Sequence, residues 1–337
     1  MGLSSLPQRD YSLDNVRFVL IFSVVFAHLL EICAPFQGSA QIYKFIYSFH
    51  MPAFLFLFGY NVKFSPKKIV YRWCVPYVIF QCAFIVFSQT VLNANKTFQF
   101  TTPYWILWYM VACIYYQLLL PLFDTDDKKK QIITILCAFA LSLFVGYEKT
   151  IGYYMSLSRF FVFQPWFLLG YYCKKNNVLA RCSLHPKGCF LALAVSLVVI
   201  IALAPATGTI PNGLLYGSYA YASCKGTIWM RVITWIMSFA VIVFLCVGIR
   251  PYLSRKLAFI TNIGQNTWPI FLLHGFAIKA APLYFPGLVA SPWGVILLSC
   301  ALIVLLGNKI CSKAVYYTCF SWLEKAATKK TGEETNP

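Results

Sequence analysis

VRFVLIFSVVFAHLLEI, residues 16–32, is apolar except at Arg17, Ser23, His28 and Glu31. About 20 predominantly apolar residues let a helix cross the hydrocarbon core of a bilayer, and with its flanks this stretch reads as such a helix over 13–33. Comparable runs follow at 41–62, 70–90, 103–121, 131–147, 155–173, 188–205, 228–248, 257–280 and 291–311. The pattern predicts an all-α fold, a polytopic membrane helix bundle of about ten transmembrane helices. No stretch between the runs is long enough for a separate soluble domain. Residues 1–337 therefore read as one membrane-embedded domain, with an arm at 1–12 and a tail at 312–337.

Composition points the same way: 60% of the 337 residues are hydrophobic and 11% are charged, far from the balance of a soluble domain. The net charge of +18 sits in short clusters between apolar runs, a positive-inside pattern and not a nucleic-acid-binding stripe. By these boundaries 20 of the 28 basic residues fall on one side of the bundle, Lys63, Lys67, Lys68 and Arg72 among them. That side is read as cytoplasmic and holds both termini, as expected for a multi-pass protein of the plasma or inner membrane. The thirteen cysteines lie mostly inside apolar runs with no CxxC spacing, so they read as packing residues, and no metal-ligand pattern is present.

The longest exterior connection, 206–227, is rich in Gly, Ser and Tyr. Its tyrosines suit either sugar stacking or a place at the lipid headgroups.

An ionisable group within a span costs about 2.5–3.5 kcal/mol on insertion scales for a central Arg, so it marks a function or a buried partner. Arg17 lies near the cytoplasmic end of its span, where it can snorkel or pair with Asp14 three residues earlier. His28 lies deeper. Three of the four histidines, His28, His50 and His274, fall within spans, and only His185 is in a loop. His50 and His274 each share a helix with a proline, Pro52 and Pro269. A proline frees the carbonyl four residues before it, and such broken helices occur where they line a cavity.

RDYSLDNVRFVLIFSVVFAH (9–28) resembles the opening of the acyltransferase-3 family of integral-membrane acyltransferases, with Leu13-Asp14 preceding the Arg17-x10-His28 spacing. FHMPAFLFLFGY (49–60), RWCVPY (72–77), PYWILWYM (103–110), RFFVFQPWFLLGYY (159–172) and NTWPIFLLHG (266–275) are similar, in order, to blocks of its fucose 4-O-acetylase-like branch. Phe18 and Ala27 depart from the family pattern, standing where small glycines are common.

The resemblance implies transfer of an acetyl group from cytoplasmic acetyl-CoA, a co-substrate and not a resident cofactor, to a hydroxyl of a cell-envelope or exported glycan. It also implies that Arg17 and His28 are the functional pair. Acyl transfer to an alcohol needs a base for the hydroxyl proton, a task that suits His28. Arg17, with Lys67, Lys68 and Arg72, is the expected holder of the donor phosphates, about 16 Å from His28 along the helix. His50, Arg159 and His274 are the expected substrate-binding groups, because their depths and that of His28, in four spans, coincide, and Glu31 is expected to join them at the mouth of the cavity. The competing reading is a transporter or flippase whose buried His and Arg line a substrate or proton path.

Overall fold

The computed structural model describes residues 10–33 and 36–321. The start of the expected arm and the end of the expected tail, 1–9 and 322–337, lie outside the described residues. The described residues form helices and loops, with no strand among them.

In chain order the long helices are α1 (Ser12–Cys33), α2 (Ser39–Tyr47) and α3 (His50–Asn61), then α4 (Pro66–Thr90), α5 (Trp105–Phe123), α6 (Lys128–Tyr147) and α7 (Leu157–Lys175). They continue as α8 (Pro186–Thr207), α9 (Ile228–Gly248), α10 (Ala258–Gln265), α11 (Thr267–Tyr284), α12 (Pro292–Leu306) and α13 (Lys309–Tyr316). Among the described residues, seven spans are long and apolar enough to cross a membrane, counting α2 with α3 as one, or eight if the pair bent by 61° after α12 is included. About ten were expected. The difference falls largely on α7 and α11, whose apolar character is diluted by Arg159 and Gln164 in one and His274 and Lys279 in the other. Helix α8 turns Phe190, Leu191, Val198 and Ile201 outward. A face that apolar is at rest against lipid and would be a liability in water. The protein is a multi-pass membrane protein.

Three local breaks shape the interior. Pro52 has no N–H for the carbonyl of Ser48, and the helix parts between α2 and α3; the Ser238 hydroxyl of α9 donates to that carbonyl at 2.7 Å. The freed acceptor is thus satisfied from a neighbouring helix. Pro76 likewise leaves the Arg72 carbonyl without its usual donor, and α4 widens into a π-type turn over Val70–Cys74. Asn266, with φ −111°, separates α10 from α11.

Helices α3 and α7 approach closely through two glycines. A Cβ on Gly59 would lie 2.0 Å from the Phe167 carbonyl oxygen, and one on Gly170 would lie 2.0 Å from that of Phe56. Only the missing side chains permit this contact, the usual device of close membrane-helix crossings.

Candidate active site

A cavity of about 480 Å³ runs through the bundle interior. Arg17 and Glu31, both on α1, line its two ends. Fourteen residues of helix separate them, about 21 Å.

At its centre α1 and α11 bring two imidazoles together. His28 Nδ1 lies 3.0 Å from His274 Nε2, and the two rings, with planes 11° apart and centroids 5.2 Å apart, meet edge to edge. The Ile270 carbonyl, which can only accept, lies 2.8 Å from His274 Nδ1, so that nitrogen carries a proton. With both rings neutral, His274 Nε2 is then an acceptor and His28 Nδ1 the donor. The remaining nitrogen, His28 Nε2, bears a lone pair and has no hydrogen-bond partner among the described residues, on a residue that lines the cavity. His50 repeats the device: its Nδ1 donates to the Ile46 carbonyl at 2.9 Å, at the break between α2 and α3. Its Nε2 is likewise left as an acceptor.

Trp105 packs on His28 with centroids 4.7 Å apart, and it does so from a left-handed backbone, φ 38°. A side chain in that region stores about 1–3 kcal/mol, and such strain concentrates at functional sites.

Beyond His28, Glu31 accepts hydrogen bonds from the Tyr47 hydroxyl at 2.9 Å and the Tyr216 hydroxyl at 3.1 Å. Tyr43 in turn donates to Tyr216 at 2.9 Å. Arg159 enters from the first turn of α7, aimed by two successive left-handed residues, Met155 (φ 49°) and Ser156 (φ 55°). Its Nε donates to the Tyr216 carbonyl at 2.9 Å. Its guanidinium lies between the rings of Trp108 and Tyr153, 4.9 Å from each centroid.

The other end is cationic. Arg17 Nη1 pairs with Asp14 Oδ1 at 2.6 Å, while Gln265 donates to Asp14 Oδ2 at 2.9 Å. Lys63, Lys68 and Arg72 line the cavity beside Arg17.

The cavity gathers Arg17, His28 and Glu31 of α1 with His50, Arg159 and His274, and it takes in Lys68 and Arg72. It leaves out Lys67, whose amine sits 5.8 Å from the Tyr71 ring. Phe18 and Ala27, the departures from the family pattern, do not line it; Phe18 meets Phe259 edge-on. Sequence reasoning missed Lys63, Trp105, Trp108, Tyr153 and Gln265 as lining groups. Of the tyrosines in 206–227, Tyr216 faces the cavity, carried on a segment anchored by buried Ile210, Leu214 and Leu215. No group of three or more potential metal-ligating side chains occurs among the described residues.

Residues 10–307 match the family model described as an acyltransferase domain, a stretch that contains every cavity residue named above. No curated protein and no solved structure matches the chain.

Proposed function

This chain belongs to the acyltransferase-3 family of membrane acyltransferases, and on that premise we propose that it moves an acetyl group from acetyl-CoA to a hydroxyl of a cell-envelope or exported glycan. The observation that carries the reading is the unpartnered His28 Nε2 in a cavity that is cationic at one end and aromatic at the other. The Arg17 end, with Lys63, Lys68 and Arg72, suits the phosphates of coenzyme A. The opposite end offers Trp105, Trp108, Tyr47 and Tyr216 for a sugar, the mixture of ring faces and hydroxyls that saccharides pack on. In this reading the Arg17 end and both termini are cytoplasmic, and the membrane is the plasma or inner membrane.

The chemistry follows from the tautomers. The acceptor hydroxyl hydrogen-bonds to His28 Nε2, which takes its proton as the oxygen attacks the thioester carbonyl. The resulting imidazolium is held through Nδ1–H on His274 Nε2. When the tetrahedral intermediate collapses, the C–S bond breaks, the ester remains on the sugar, and His28 returns its proton to the departing coenzyme A thiolate. His274 touches no reacting atom here; it is a positioning residue that fixes which nitrogen of His28 is basic. His50 Nε2, an acceptor, suits a sugar hydroxyl and cannot serve a neutral ring as an oxyanion donor. Lys67 has no part in donor binding in this account.

The family match favours acyl transfer over a transporter or flippase. The test is coenzyme A thiol release by the detergent-purified protein given acetyl-CoA and a saccharide panel. Release that depends on a saccharide and disappears in His28→Ala supports the reading. Release that is equal with and without any saccharide, or that survives His28→Ala, contradicts it.

A further inference from the structure

Arg159 is held in a way that the transfer chemistry does not require. Its guanidinium lies over the rings of Trp108 and Tyr153, and Nε is taken up by the Tyr216 carbonyl. Its side chain is buried, with 7% exposure, yet it lines the cavity, and no carboxylate pairs with it among the described residues. The nearby acid, Glu31, is already occupied by two tyrosine hydroxyls. A second cation, Lys279, lies 4.5 Å from the Trp105 ring centroid on the same side of the site. A buried cation without a counter-charge is costly in a membrane interior. Tyr153 is its one other side-chain hydrogen-bond partner, a neutral hydroxyl that offers no counter-charge, so the guanidinium fork remains able to meet a carboxylate or phosphate in the cavity through charge-assisted hydrogen bonds.

We infer that the acceptor is an anionic saccharide, whose carboxylate or phosphate docks on Arg159 while a nearby hydroxyl is presented to His28 Nε2. This rests on the acetyl-transfer reading and adds to it the charge of the acceptor. The ring of contacts is short: His28 meets Tyr47 at 6.0 Å, Tyr47 meets Tyr216 at 5.7 Å, and Tyr216 holds Arg159. Trp108, three residues on from the Trp105 that packs on His28, closes it from the other side. The cation–π clamp also explains why lysine would be a poor substitute, since it lacks both the flat face and the fork.

The experiment measures equilibrium binding of methyl glucuronoside, glucose 1-phosphate and methyl glucoside to the detergent-purified full chain by calorimetry. At least one anionic ligand should bind roughly tenfold more tightly than methyl glucoside. A preference for methyl glucuronoside identifies a carboxylate as the source of charge, and one for glucose 1-phosphate identifies a phosphate. Arg159→Gln should abolish the preference and Arg159→Lys should restore it in part. An acetyl-CoA thermal shift that persists in Arg159→Gln shows that this variant is folded. Equal binding of all three ligands, binding of none, or a preference that survives Arg159→Gln overturns the inference. The parent reading is separable: saccharide-dependent thiol release by the unaltered protein without any anionic preference would leave it standing, whereas loss of both would remove both.

Discussion

His28 Nδ1 lies 3.0 Å from His274 Nε2, a contact that joins α1 to α11 across 246 residues of sequence. Because the Ile270 carbonyl fixes the proton on His274 Nδ1, this hydrogen bond selects the tautomer of His28. Removing the base itself should be the most damaging change: His28→Ala is expected to lower kcat by roughly 10²–10⁴-fold with near-normal membrane abundance. His274→Leu should lower kcat by about 10²-fold with little change in KM, and His274→Asn, which keeps an acceptor, should recover part of the loss. Nitrogen-15 spectra of labelled histidine provide the structural readout. His28 should show a protonated Nδ1 in the unaltered protein and a mixture of tautomers in His274→Leu.

The cationic end should govern the donor alone. Arg17→Ala is expected to raise KM for acetyl-CoA roughly tenfold to a hundredfold, as for loss of a charge-assisted hydrogen bond. Arg17→Lys should restore it only partly, because a point charge does not reproduce the fork. Lys67→Ala should leave the acetyl-CoA thermal shift unchanged, since its amine lies away from the cavity, over Tyr71. Unchanged donor affinity in Arg17→Ala would reduce that residue to the partner of Asp14.

Packing of α3 on α7 should fail if either glycine gains a side chain. Gly170→Ala places a Cβ 2.0 Å from the Phe56 carbonyl oxygen, and overpacking of this kind costs about 1–3 kcal/mol. A lower thermal midpoint in detergent, read by fluorescence-detected size exclusion, is the expected result. An unchanged midpoint would mean that the two helices part without cost.

Asp10 ties the start of α1 to the link that follows α9. It accepts from the Ser12 backbone N–H at 2.8 Å and from Arg250 Nη2 at 2.6 Å. Burial pushes its carboxyl pKa up, but the hydrogen bonds from Ser12 and Arg250 outweigh that and hold it below its ordinary value of 3.8. A depressed folded pKa contributes stability that is fully present above the unfolded value and is lost as pH falls through the folded one. Asp10→Asn should therefore lower the thermal midpoint at neutral pH, and its gap from the unaltered protein should close below about pH 4. A gap that widens on acidification would show that Asp10 acts through something other than its charge.

Opposite exposure of two polar connections, at Ser223 and Lys129, is expected in sealed cells. In a cysteine-free background, Ser223→Cys should react with an impermeant maleimide from outside, and Lys129→Cys should react only after permeabilisation. Equal labelling would overturn the orientation.

How much of this was legible in the sequence depended on periodicity. The Arg17-to-His28 spacing sits within one uninterrupted helix, so its length along α1 could be read directly. Pro52 and Pro269 each signalled a break in the ladder, though not that Ser238 would satisfy the carbonyl freed by the first, and the π-type turn before Pro76 was not anticipated. Lys67 and Lys68 were inseparable, because neighbours on a helix differ by about 100° in direction and only packing decides which one faces inward. Lys63 lies in the extended link after α3, where no period applies. Tyr216 reaches the cavity from the end of a short helix, Asn212–Tyr216, and Trp105 packs on His28 from a left-handed backbone, two features set by tertiary contacts. The expected count of about ten agrees with the seven spans once the bent pair and the helices that carry Arg159 and His274 are added; those two are less apolar because they supply the site.

On the proposed reading, one cavity carries acetyl from a donor on one face to an acceptor on the other through His28. Proteoliposomes with acetyl-CoA supplied at the Arg17 face and an impermeant saccharide confined to the opposite face test it most directly. Acetylated saccharide should form in the second compartment and coenzyme A thiol in the first, with neither product in His28→Ala. Acetylation only when donor and acceptor share a face, or undiminished transfer by His28→Ala, would contradict it.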